Sequence, residues 1–203
     1  MRLYKKDGEI YVKHSPSLSE KVSEIECEEW LEYFEGYKKA AIRLIDNSFT
    51  DPKEFQTEEY IVYPILYIYR HMIELGLKLI LYDIEQTYGE KDLVKFDHSL
   101  VDRWNEVKKR AEKYLTEKFG SNNSKGIDKP FRNLEEMLDN IETEVNFVNN
   151  LDFKGMNFRY PVNKKRKKSI DKEFNFSIVQ LRQKIKMTHD LLSEIYMEIL
   201  MPE

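Results

Sequence analysis

Residues 63–81, YPILYIYRHMIELGLKLIL, decide how the rest of the chain is read. At roughly 100° per residue, Tyr63, Tyr67, Arg70, His71, Glu74 and Lys78 fall within an arc about 100° wide. The other faces carry Ile65, Leu66, Ile68, Ile73, Leu75, Leu77, Leu79 and Ile80. A helix apolar on nearly every other side belongs in the middle of a domain. Its polar arc must then meet a crevice, a water-filled pocket or a second subunit, because an unpaired buried charge costs several kcal/mol, on the order of its desolvation. The same arc argues against a membrane span: Arg70, His71, Glu74 and Lys78 interrupt the apolar run.

The pattern places this helix at about Thr57–Tyr88, with Pro64 either kinking it or delaying its start. Upstream, Asp7-Gly8 between β-prone stretches predicts a small hairpin. Ser17 and Glu20 form a capping-box pair, and a first helix should follow to about Asn47, with a loop at 50–56. A third helix should begin near His98 and carry Leu100, Trp104, Val107, Ala111 and Leu115. Residues 119–129, rich in Gly, Ser and Asn, read as a loop. Leu134, Leu138, Ile141, Val145 and Val148 mark a fourth helix whose other face is acidic and expected to be solvated. Phe153, Phe158, Tyr160, Phe174 and Phe176 around a basic stretch suggest a second, extended hairpin. Ser177 and Gln180 then cap a last helix with Ile178, Leu181, Ile185, Leu192, Ile195 and Ile199 on one stripe.

The fold class read from these patterns is mainly α. About five helices with mostly short connections should pack as an antiparallel bundle, in one domain over 1–203 with residues 1–14 as an appendage.

Composition narrows the function classes. With 203 residues, the chain has enough length for a core of its own. Hydrophobic residues at 41% and charged residues at 34% fit neither a disordered nor a membrane-embedded chain. A net charge of -4 gives no global basic field, so any nucleic-acid contact must be local. Cys27 stands alone, which precludes an internal disulfide and suggests a reducing, cytoplasmic setting. The first residues lack the apolar core of a signal peptide. GxxxxGK, GxGxxG and a nucleophile-elbow pattern are missing, as is zinc-ligand spacing, so P-loop, dinucleotide, triad-hydrolase and zinc chemistry are set aside, and neither a metal nor a cofactor is expected.

Two readings of the polar arc stay open. Arg70 with Glu74, and Glu74 with Lys78, can form an i,i+4 salt-bridge ladder with His71 as a core histidine. Alternatively Arg70 clamps an anion or RNA phosphate, His71 transfers protons, and Tyr63 and Tyr67 stack on a base.

Three stretches resemble a known group. Tyr69-Arg70-His71-Met72-Ile73-Glu74-Leu75-Gly76-Leu77-Lys78 resembles the YRHxxELxLK helix of HEPN-like bacterial proteins. Phe96-Asp97-His98-Ser99-Leu100 with Trp104 is similar to the second signature of that group, and Phe158-Arg159-Tyr160-Pro161 to the third. The resemblance implies a helical bundle, often dimeric, found in toxin–antitoxin, abortive-infection or other antiphage systems. It implies metal-independent ribonuclease or RNA-binding activity, and a homodimer, an antitoxin or another defence protein as partner.

In active members an Arg and a His on a late helix line the dimer cleft. The RNA 2′-OH attacks the adjacent phosphate, His moves protons and Arg stabilises the phosphorane. Arg182 and His189 stand where such a pair is expected, at i and i+7 on one face. Two solvated polar residues on an amphipathic helix is the competing reading.

The candidate catalytic set is therefore Arg70, His71, Glu74 and His98, with Arg182 and His189 as a second pair. Tyr63, Tyr67, Lys78, Arg159 and Tyr160 are the candidate substrate-binding residues. His98 is expected in the first turn of its helix, where the dipole favours a neutral imidazole. The run 164–168, KKRKK, is either a solvated hairpin tip or a phosphate-tracking finger. The other reading of the whole chain is a non-catalytic module that binds a nucleotide or a protein. A purely structural dimerisation domain is the third.

Overall fold

A computed structural model describes residues 2–6, 9–13, 27–48, 59–95, 97–119, 134–152, 155, 157–161, 166, 168–169 and 177–200. Among them are five α-helices: α1 (Cys27–Ser48), α2 (Val62–Tyr88), α3 (Leu100–Phe119), α4 (Leu134–Leu151) and α5 (Ile178–Leu200). Strands β1 (Arg2–Lys6) and β2 (Glu9–Lys13) pair antiparallel, with Arg2 opposite Lys13. The Asp7-Gly8 turn, the Ser17–Glu20 pair, His14, the 50–56 loop, Phe96 and nearly all of 119–129 lie outside the described residues. So do Phe153, Phe174, Phe176 and the tip lysines Lys164, Lys165 and Lys167. Of the expected second hairpin, the described part is one backbone bond, Ser169 N–H to Pro161 O at 3.0 Å.

Helix α2 is the central element and packs against all four other helices. From Tyr69 to Leu81 every residue but His71 is buried. A 3-10 turn over Glu59–Ile61 precedes it, so Pro64 falls in the first turn. No intrahelical donor is needed there, and proline delays the helix start without kinking it. Ser177 caps α5, accepting the Gln180 N–H at 3.4 Å, as the sequence pattern anticipates.

The bundle is not uniformly antiparallel. Helix α1 does run against α2 and α5: Tyr37 meets His71 and Trp30 meets Tyr82, while Asp46 pairs with Arg182 and Lys38 with Asp190. Helices α3 and α5, however, run in the same direction as α2. Tyr69 and Tyr88 of α2 bond Thr188 and Ile199 of α5. Glu74 meets His98 just before α3, and Tyr88 stacks on Tyr114 further along it.

Connection length permits this. The eleven residues 89–99 can reach roughly 36 Å when extended, more than the span from Glu74 to Tyr88, about 20 Å at 1.5 Å per residue. The chain returns along α2 before α3 starts. Glu85 fastens this return by accepting the backbone N–H groups of Leu93 and Val94. The Arg103 guanidinium donates to the carbonyls of Lys95, Asp97 and Ser99.

Candidate functional site

The polar arc of α2 divides into two environments. On its inner side Arg70, Glu74 and Lys78 are buried. Arg70 donates through Nη1 to Glu74 Oε2 at 3.1 Å, through Nε to the Asp152 carbonyl at 3.1 Å, and through Nη2 to the His98 carbonyl at 2.6 Å. Lys78 Nζ donates to Glu74 Oε1 at 2.9 Å. Burial alone would raise the Glu74 pKa, but the Lys78 hydrogen bond and charge, with help from His98 and Arg103, pull it down to about 2. A carboxylate so ionised only accepts, so His98 Nδ1, 3.1 Å away, carries the proton. His98 is the one member of this group with an exposed side chain, at 55%. It stands two residues before α3 rather than in its first turn; Ser99 Oγ accepts from Asp102 N–H at the helix start, where a short hydroxyl side chain can cap and an imidazole cannot.

These charges thus satisfy one another, as the salt-bridge reading requires. Their geometric effect is on the segment after α4. The Asp152 carbonyl is held by Arg70, and Asp152 Oδ1 accepts the Asn157 N–H at 2.9 Å. Asn157 Nδ2 donates to the Leu151 carbonyl at 3.0 Å, closing the turn. Phe158 enters the core, and the next two residues, Arg159 and Tyr160, are exposed.

That turn forms one wall of an open cleft of about 580 Å³. Tyr60 and Tyr63, at the start of α2, line it with Asn157, Phe158, Arg159, Tyr160, Pro161, Lys168 and Ser169. The Arg159 guanidinium carbon lies 5.8 Å from the Tyr67 ring centre and 5.6 Å from that of Tyr160, within cation–π range. No carboxylate is among the described lining residues. Of the substrate-binding candidates, Tyr63, Arg159 and Tyr160 are brought together here with Tyr67 beneath. Lys78 is not, being committed to Glu74.

His71 stands between the cleft and α1. Its ring stacks on Tyr67 at 6.0 Å and meets the Tyr37 ring edge-on at 4.6 Å. Burial lowers its pKa, with Lys78 and Arg70 adding to that and Glu74 opposing it.

Arg182 and His189 lie two turns apart on α5, both against α1, with separate partners. Arg182 pairs with Asp46 through Nε at 2.6 Å and Nη2 at 2.9 Å. His189 is buried, stacks on Phe34 at 4.3 Å, and accepts at Nδ1 from Lys38 Nζ at 2.8 Å. Its Nε2 lies 2.9 Å from Glu35 Oε1. Within one chain the two side chains are therefore occupied at the α1–α5 seam and do not converge.

A second buried polar cluster has no counterpart in the sequence reading. Tyr69 O–H donates to Glu144 Oε2 at 3.0 Å and lies 2.8 Å from Thr188 Oγ1, while Lys184 pairs with Glu144. Glu144 flanks the apolar stripe of α4, three residues after Ile141 and four before Val148, and is buried. The signal was available only as a tyrosine on the apolar side of α2, which cannot be told from a core ring.

Among the described residues, no three His, Cys, Asp or Glu side chains converge as a metal site needs, and no helix is long and apolar enough to cross a membrane. No family model, no curated protein and no solved structure matches the chain significantly. The likeness to HEPN-like proteins rests on its three motifs alone.

Proposed function

We propose that this chain is a HEPN-like helical module that binds single-stranded RNA or a nucleotide in the Tyr60–Tyr63–Arg159–Tyr160 cleft. One observation carries the reading: Arg159 sits over two tyrosine rings at a cleft that also presents Lys168. Tyrosine faces stack on bases irrespective of sequence, and the two cations meet phosphate oxygens. The cleft volume is in the range of small-ligand sites, roughly 300–1,000 Å³. Calorimetry with short oligoribonucleotides and mononucleotides tests it. Binding that weakens with salt and falls at least about tenfold in Arg159→Ala, a loss of about 1.4 kcal/mol, is expected. Absence of binding to every RNA and nucleotide rejects it.

RNA cleavage is the second reading, and His98 favours it. Its Nδ1–H is held by Glu74, so the tautomer leaves Nε2 as the basic atom on an exposed side chain. Metal-independent cleavage would persist in EDTA, leave a cyclic phosphate and be lost in His98→Ala. A homodimer, an antitoxin or another defence-system protein as partner, and a cytoplasmic location, belong to the same proposal. Light scattering of the purified chain tests the dimer.

A further inference from the structure

A second cavity, of about 330 Å³, lies between α1 and α2 and is lined by Glu29, Glu32, Tyr33, Gly36, Tyr37, Ala40 and Ile68. It is open at its floor because Gly36 and Ala40 put no large side chain there. Ring contacts link it to the first cleft. Tyr37 meets His71, His71 stacks on Tyr67, and Tyr67 lies under Arg159, which also approaches the Tyr160 ring. Tyr63, Tyr67 and His71 succeed one another at i, i+4 and i+8, roughly 12 Å along α2. The Tyr37 pKa is raised by burial and by the neighbouring oxygens of Tyr67 and Tyr33.

We infer that the two cavities form one track for single-stranded nucleic acid, with a second base subsite in the α1–α2 groove. This rests on the nucleotide-binding reading of the first cleft. The two ends differ in charge. Arg159 and Lys168 at the first take phosphate. Glu29 and Glu32 at the second repel phosphate and accept from the N–H edge of an amino-bearing base such as cytosine. Tyr33, 60% exposed, is the ring free to cover that base.

The experiment is calorimetry on the full chain with CMP, UMP, (rC)3 and (rU)3. The expected result is that (rC)3 binds at least about tenfold tighter than CMP. The oligo(C) preference over oligo(U) should exceed that of CMP over UMP. Tyr33→Ala, at an exposed position, should abolish the gain from length while leaving CMP affinity unchanged. Glu29→Gln/Glu32→Gln should erase the base preference. If CMP binds and (rC)3 binds no tighter, or if Tyr33→Ala leaves the gain intact, the track is overturned and the first cleft stands. If neither mononucleotide nor trinucleotide binds, both fail.

Discussion

The Arg70 guanidinium lies flat against Gly155: a Cβ added to that glycine would stand 3.0 Å from Nη1 and 3.2 Å from Cζ. Gly155 also has φ +67, a conformation that costs an L side chain roughly 1–2 kcal/mol. A buried charge of α2 thus supports the backbone three residues before Phe158 and the cleft residues that follow it.

Gly155→Ala should therefore lower stability by about 1–2 kcal/mol and weaken nucleotide binding more than an equally destabilising change far from the turn. Urea unfolding and calorimetry on the same sample measure both. An Ala variant as stable as the parent would show that the turn yields freely.

The depressed pKa of Glu74 makes acid stability a readout of the ion-pair network. The folded-state pKa of about 2 lies below the ordinary 4.5. The resulting stabilisation is complete above pH 4.5 and is lost as pH falls toward 2, by about 3 kcal/mol in total. Glu74→Gln should flatten this part of the stability–pH curve. It should also cost about 3–5 kcal/mol at neutral pH, because Arg70 and Lys78 remain buried without their carboxylate. An unchanged acid slope in the variant would place the titrating group elsewhere.

Two histidines act in the same direction at higher pH. Burial lowers the pKa of His71 and of His189; at His189 this outweighs the contributions of Asp190 and Glu35, while Lys38 reinforces it. The unfolded chain binds these protons first, so stability falls as pH drops below about 6.5. Proton NMR titration should give both rings midpoints below 6.5. A midpoint above that value for His189 would mean that Glu35 and Asp190 hold an imidazolium.

A pair of glycine substitutions separates helix propensity from packing. At Gly76, where α2 crosses α1 and α5, a Cβ would stand 2.7 Å from Phe34 Cε2 and 3.0 Å from Leu192 Cδ1. Gly76→Ala should destabilise by about 1–3 kcal/mol through overpacking. Gly36 on α1 has nothing within 4 Å of an added Cβ, and Gly36→Ala should stabilise by up to about 1 kcal/mol. Thermal melts of both variants check the signs; the same sign for both would contradict the packing argument.

The helices were legible in the sequence because periodicity is local. The apolar positions of α2 and α5 repeat at the helical interval, and nearly all of them are buried. The i,i+4 spacing of Arg70, Glu74 and Lys78 likewise announced their ion pairs. Spacing could not announce direction. That α3 and α5 run with α2 depends on how far the connections travel, and a loop's length bounds its reach without choosing its path.

The candidate site divides in the same way. The sequence by itself determined a central helix, its charged stripe and the aromatic and cationic residue types that a nucleotide would meet. The tertiary structure alone decided which of these groups are already satisfied by neighbours, because a charge's partners come from several helices at once. It drew Arg70 and Glu74 inward onto residues 24 to 82 positions away, and bound Arg70, Glu74 and Lys78 to one another. It left Arg159 and Tyr160 outside, beside tyrosines about a hundred residues earlier in the chain. Burial and exposure are properties of that assembled packing, and no local pattern of residues contains them.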